Sequence, residues 1–139
     1  MGSAVELELS ELASRLVRVL DEKRYDAMAS VFTEDAVVAT PTGEARGLAA
    51  LVEKAQTNRP DGVMTQSFLT NQLVTVDGAT ATIDANLLVV FIREGGSSNL
   101  FGERYHLTAV RTAHGWRISR VGGTPLWEAP VPDLKRLVP

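Results

Sequence analysis

Side chains able to move a proton near neutral pH are few in this chain: two histidines, two tyrosines, scattered carboxylates and no cysteine. His106 stands between Tyr105 and Leu107 in a β-favouring stretch, and because imidazole changes charge between about pH 5 and 8 it draws attention as a base. His114 sits beside Gly115 at a turn and reads as structural or solvated. Asp84 and Asn86 share one face of a strand that runs into the apolar stretch Leu87 to Ile92. Desolvation there would raise the pKa of a carboxylate, which makes Asp84 a candidate acid or base. The competing reading is a polar strand end at a wet rim or in a cross-strand pair. Tyr105 carries a phenol that could hold a ligand carbonyl or donate a proton, or else is a core ring whose hydroxyl bonds locally. Asp35 suits a turn cap, and Asn71 suits a bulge, a backbone bond or a pocket amide.

Other chemistries are excluded or unsupported. Without cysteine there are no disulfides, thiolate metal sites or cysteine nucleophiles, which fits a reducing compartment. Fourteen Lys plus Arg against seventeen Asp plus Glu give a net charge of −3. No run of either sign offers the basic face that displaces counterions from nucleic acid, or a polybasic lipid anchor. There is no glycine-rich phosphate loop after a strand, no histidine pair at metal spacing and no Gly-x-Ser-x-Gly elbow. The first residues, Met1 to Leu9, hold Glu6 and Glu8 and lack the basic and apolar regions of a signal peptide. Leu87 to Ile92, the longest strongly apolar stretch, is far short of the roughly 20 residues that span a bilayer. A cytoplasmic protein is expected.

The elements that must position these groups follow from hydrophobic period. Leu9, Leu12, Leu16, Val19 and Leu20 form a helical stripe, and Glu11 in its first turn suits the helix dipole. Tyr25, Met28, Val31 and Phe32 predict a second, shorter helix. Ala36 to Thr40 predicts a short strand that stops at Pro41-Thr42-Gly43. Leu48, Leu51, Val52 and Ala55 predict a third helix, closed by residues 58–62. Four long antiparallel strands are expected after it: Val63 to Val76, Ala79 to Arg93, Leu100 to Ala113 and Trp116 to Val121. Asp77-Gly78 is the hairpin signal between the first two. Gly122-Gly123-Thr124-Pro125 reads as the end of the meander, leaving a Pro-rich tail with Leu126, Trp127, Val131, Leu134 and Leu137. The whole, 1–139, reads as one domain, with a core of about 9–121 and a tail of 122–139. Leu87 to Ile92 is apolar at both parities, so both faces of that strand should be covered. Helices can cover one face, and a second copy of the chain is the simplest cover for the other.

Helix, helix, short strand, helix and four long strands, in that order, resemble the nuclear transport factor 2-like superfamily, and within it the SnoaL-like proteins. The residues that carry the resemblance are Asp21 to Asp35 with Val38, then Arg46-Gly47-Leu48-Ala49-Ala50-Leu51, Thr70-Asn71, Val76-Asp77-Gly78-Ala79-Thr80-Ala81, Arg104-Tyr105 and Gly115-Trp116-Arg117-Ile118. The likeness spans roughly Leu9 to Val121. It implies an α+β cone, with N-terminal helices on a curved, mostly antiparallel sheet around an apolar pocket. It also implies a homodimer through the outer sheet face and no metal or organic cofactor. Polyketide cyclases, ketosteroid isomerases, scytalone dehydratases and limonene epoxide hydrolases belong to that superfamily.

Carried over position by position, the resemblance places Thr40 where ketosteroid isomerases keep an acidic base before Pro-x-Gly, and Leu16 at about their ketone-polarising tyrosine. Isomerase chemistry of that type is therefore excluded. Ser67 falls where dehydratase-like and cyclase-like members carry histidine, and Leu107 where cyclases carry aspartate. Neither can be tuned for acid–base work near pH 7. If Leu107 replaces a pocket aspartate, Tyr105 shares the pocket face and His106 lies on the outer one. The expected pocket is then Leu16, Phe32, Thr40, Ser67, Leu69, Asn71, Leu107 and Trp127, with Tyr105 and Asp84 as the candidate catalytic groups. Trp116 is expected in the core, while Trp127 lies across the pocket mouth or on a neighbour. The expected ligand is a small apolar molecule, polyketide-like or polycyclic, of natural-product metabolism. It would be cyclised, isomerised or dehydrated without a cofactor, or merely bound.

Overall fold

The computed structural model describes residues 2–137, with side chains from residue 4. The outermost ends of the expected 1–139 domain lie outside those residues. Helix α1 (Gly2–Asp21) buries Leu9, Leu12, Ala13, Leu16, Val17 and Val19, the face set by the three- and four-residue spacing. It starts well before the first expected position, Leu9, because Val5 also packs against the core. A turn with Lys23 at φ +55° follows, and Tyr25–Ser30 forms a 3₁₀ turn rather than the expected α-helix. Six residues hemmed by that turn and by a strand cannot repay α-helical nucleation, and i→i+3 bonds close such short pieces more readily.

Strand β1 (Phe32–Thr40) begins inside the stretch assigned to that helix. It turns at Pro41-Thr42 into a short partner, β2 (Gly43–Arg46), that the turn signal had concealed. Helix α2 (Leu48–Asn58) buries Leu51 and Ala55. Gly47 precedes it at φ +89°, a backbone angle that L side chains rarely adopt, and its N–H donates to Ala36 O at 2.9 Å.

The long strands are β3 (Val63–Asp77), β4 (Thr80–Arg93), β5 (Ser98–Thr112) and β6 (Gly115–Val131). They join β1 and β2 in a six-stranded sheet of order β2-β1-β6-β5-β4-β3, antiparallel except where β1 runs parallel to β6. The β3–β4 turn is Gly78-Ala79, one residue later than expected, with Gly78 supplying φ +63°.

The largest departure is β6. Gly122-Gly123-Thr124-Pro125 does not end it, and pairing to β5 continues to Ser98↔Val131. Beyond Ala39↔Gly122 the β1 side of β6 is a free edge, where a proline's missing N–H breaks no ladder bond. Two bulges, one of them at Leu126, add the local twist that lets so long a strand follow the curvature of the sheet.

Alternation along β4 shows which face the helices cover. Ala81, Ile83, Ala85, Leu87 and Val89 are buried, while Asp84 and Asn86 are exposed. The inner residues join α1 in one core in which Leu9, Leu16, Ile83, Leu107 and Ile118 are fully enclosed. Trp116 lies in that core as expected.

Candidate functional site

Between α2, the 3₁₀ turn and the inner face of the sheet lies a cavity of about 590 Å³, inside the usual span of small-molecule sites, roughly 300–1,000 Å³. Met28, Phe32, Leu51, Leu87, Val89 and Phe91 supply apolar wall. The inward parity of β5 then delivers Asn99, Phe101, Glu103 and Tyr105 in sequence, three polar groups and one ring. The same parity carries on to Leu107, which is already in solid core.

Glu103 is the group the sequence reading overlooked. Burial raises its carboxyl to about 7, against a smaller lowering by the Arg59 charge. Its side chain lies flat over Gly123 on β6, where any Cβ would collide with Glu103 Oε1. Gly123 has no left-handed backbone angle, so close approach alone explains the glycine. The signal was available, since Glu103 precedes Tyr105 by two residues and must share its face. The resemblance expects its acid at position 107 instead.

Tyr105 is buried against this carboxylate. Desolvation pushes its hydroxyl well above the ordinary tyrosine value, the negative charges of Glu103 and Asp21 push it further, and Arg59 opposes them. The phenol therefore keeps its proton and can only donate or accept a hydrogen bond in its ground state.

A second network lies behind Arg59, the cavity residue that follows α2. Asp21, the last residue of α1, accepts the Thr65 hydroxyl at 2.8 Å, the Ser67 hydroxyl at 2.8 Å and the Ser67 N–H at 2.7 Å. A carboxylate at a helix C-terminus opposes the dipole, and these three donors offset that. Thr65, itself buried, also accepts from Arg59 Nε at 3.2 Å. Thr65 and Ser67 alternate onto the inner face of β3, which is what brings both to Asp21.

Of the expected pocket residues, Phe32 and Thr40 line the cavity, as does Tyr105. Thr40 Oγ1 donates to Gly43 O at 3.2 Å and shares a bond with Thr42 Oγ1 at 3.1 Å. The structure places the others outside the wall. Leu16 and Leu107 are enclosed by core, and Leu69 packs on that core from β3. Ser67 is occupied by Asp21. Asn71 is exposed at φ +56° in the register shift between Thr70 and Leu73, where a bulge admits the left-handed angle asparagine tolerates. Trp127 lies on the outer face with its indole over Gly102, because the bulge at Leu126 shifts its parity. Asp84 is outer too: its carboxylate meets His106 Nδ1 across the β4–β5 ladder, and both are more than half exposed. Strand alternation thus separates the candidate Asp84 from Tyr105, one on each side of the sheet. His114 is exposed in its turn, where its N–H donates to Thr112 Oγ1.

Among the described residues no group of three or more His, Cys, Asp or Glu is placed to hold a metal ion, and no helix is long and apolar enough to cross a membrane.

A SnoaL-like domain model matches residues 3–122. No curated protein sequence matches the chain. Among solved structures, the Kfla4162 protein of Kribbella flavida superposes with a TM-score of 0.86 at 23% identity, covering 93% of this chain and 95% of its own. A hexachlorocyclohexane dehydrochlorinase, LinA type 2, gives 0.83 at 20% identity over 98% and 95%. A nuclear transport factor 2-like superfamily protein of Salmonella enterica serovar Typhimurium gives 0.83 at 19% over 90% and 93%. At these identities the likeness establishes the fold, a nuclear transport factor 2-like α+β cone.

Proposed function

The chain belongs to the SnoaL-like domain family, and from that premise we propose that it encloses a small, mostly apolar molecule and moves a proton on it with Glu103. What carries this reading is the placement of Glu103 and Tyr105 two residues apart on the cavity face of β5, with the Glu103 carboxyl held near neutrality. A carboxyl poised near 7 exists in both protonation states at working pH, which is what a general acid–base group requires. Glu103 would take a proton from a carbon of the ligand and return it elsewhere or leave it on a departing group, with no cofactor. Tyr105 would donate a hydrogen bond to the oxygen on which charge develops. Eliminations, isomerisations and cyclisations of polyketide-like or polycyclic compounds all pass through such a step. A dehydrochlorinase among the structural neighbours is in keeping with the first of these.

The test is proton exchange in D2O, followed by NMR, on a panel of cyclic ketones carrying a β-hydroxyl or β-chloro group. Wild type is expected to exchange or eliminate on at least one member, and Glu103→Gln to lose that activity while keeping its fold. Retained activity in Glu103→Gln would remove Glu103 from the chemistry.

A second reading, a ligand-binding or dimerisation domain without catalysis, is favoured by Ser67 and Leu107. Neither can titrate near neutral pH, and one is tied to Asp21 while the other is enclosed. Under it, Glu103→Gln would bind the same compounds and wild type would turn over none.

The same proposal includes a homodimer through the outer sheet face. Phe68 and Trp127 are 45% and 49% exposed there, in one row across the sheet with Leu88 and Gly102 in register between them. Contiguous exposed apolar surface of this kind marks interfaces. The lack of cysteine keeps a reducing, cytoplasmic setting as part of the proposal.

A further inference from the structure

Three cations line the cavity, Lys54, Arg59 and Arg93, against two carboxylates, Glu103 and Glu128. They are not equivalent. The Arg93 guanidinium is engaged by Asn99 Oδ1 and lies 5.1 Å from the Phe91 ring, and Asn99 passes the polarity on by donating to Glu128 Oε2 at 3.0 Å. Lys54, half-buried on α2, carries its charge on a flexible four-carbon stem. Arg59 differs from both. It follows the last turn of α2, its backbone N–H bonded to Ala55 O at 3.0 Å. The next residue is tied down as well, Pro60 O accepting from Lys23 Nζ at 3.1 Å.

The side chain of Arg59 is held from one end only. Nε donates to Thr65, and Thr65 in turn donates to Asp21, so the negative charge of Asp21 orients the guanidinium through one hydroxyl without touching it. Among the described residues no carboxylate lies within ion-pair distance of Arg59. Its charge nonetheless reaches Glu103, Tyr105 and Tyr25, lowering the pKa of each against the effect of burial. An oriented guanidinium with its two terminal nitrogens uncommitted, facing a partly desolvated space, matches a carboxylate in charge and in fork geometry.

We infer that Arg59 receives a carboxylate borne by the ligand, so that the compounds this cavity takes are apolar acids rather than neutral hydrocarbons or amines. The inference rests on the reading of the cavity as a small-molecule site and narrows it to a substrate class. The acid's carboxylate pairs with the terminal nitrogens of Arg59, its hydrocarbon part fills the wall of Met28, Phe32, Leu87 and Val89, and its reactive carbon lies toward Glu103. Thr65 acts as a positioning residue, fixing the plane of the guanidinium.

A matched pair of probes tests this: 2-naphthoate and 2-naphthamide, equal in shape and different in charge, titrated calorimetrically into the full chain. Wild type is expected to prefer the naphthoate by at least about ten-fold, the scale of one charge-assisted fork. Arg59→Gln should erase that preference, lowering naphthoate affinity far more than naphthamide affinity. Arg59→Lys, which keeps the charge and guards against a folding defect in the first variant, should hold an intermediate preference. Thr65→Val should reduce the preference with Arg59 still present, which a purely structural threonine would not do selectively. An undiminished preference in Arg59→Gln, or a wild type that binds both probes equally, overturns the inference while leaving the cavity reading intact. Failure of wild type to bind either probe would count against the cavity reading itself.

Discussion

Glu103 and Gly123, on neighbouring strands, are packed so closely that the glycine's missing side chain is the space the carboxylate occupies. Tyr105↔Gly123 is the ladder pair, so Glu103 reaches diagonally back across its neighbour to lie there. That contact fixes the carboxylate against the cavity wall.

Gly123→Ala should therefore act on Glu103 more than on the fold. The new methyl would force the carboxylate aside, at little cost to the fold because the colliding atom is the far end of a flexible side chain. Turnover should fall by an order of magnitude or more, with an unchanged circular dichroism spectrum and a modest loss of melting temperature. Equal activity in the variant would show that the carboxylate needs no such seat.

Stability should fall as pH rises across the range in which Glu103 titrates. Its folded-state pKa, about 7, exceeds the reference value of 4.5. Below pH 4.5 both states hold the proton and there is no penalty. Between those values the unfolded chain releases it while the folded one keeps it, so ΔG of unfolding declines with pH and levels off above 7. With the group partly open to solvent, the loss should be on the order of 1–2 kcal/mol rather than the full value of the shift. Urea titrations of wild type and Glu103→Gln at pH 4 and pH 8 measure it, and the variant should show less decline.

Leu107→Ala should cost about 2–5 kcal/mol, since the side chain is wholly enclosed and its removal leaves a hole. Because Leu107 stands outside the cavity wall, ligand affinity at temperatures where the variant is folded should hold within about two-fold. A specific loss of binding would place Leu107 back in the pocket.

Trp127→Glu and Phe68→Glu should convert the proposed dimer into a monomer in sedimentation experiments, each placing a charge on the outer apolar face. Persisting dimers in the double variant would locate the interface elsewhere.

Period and turn chemistry made most of this architecture legible. The helical spacing of Leu9, Leu12 and Leu16 placed α1 on the core, and alternation about Tyr105 assigned His106 to the outer face, where it meets Asp84. What stayed hidden has physical causes. The strand β2 follows a turn that looked like a stop, and β6 continues through two glycines and a proline because its far half is a free edge. The bulge at Leu126 moved Trp127 off the pocket side, a shift no alternation rule foresees. Glu103 was visible by parity and passed over, since nothing local in the sequence reveals the depth of burial that tunes it. The link between Arg59 and Asp21 was invisible, being a single threonine hydroxyl on β3, near Arg59 in the chain but 44 residues from Asp21.

The proton-transfer account stands on a Glu103 carboxyl that carries its proton up to neutrality in a cavity walled by apolar side chains and by Lys54, Arg59 and Arg93. Carbon-13 NMR of the glutamate side-chain carboxyls, titrated from pH 3 to pH 9 and assigned by the resonance missing in Glu103→Gln, reads it directly. One carboxyl should titrate with a midpoint near 7, well apart from the others. If the Glu103 signal moves with them, at the ordinary glutamate midpoint of about 4.3, the proton-transfer account fails.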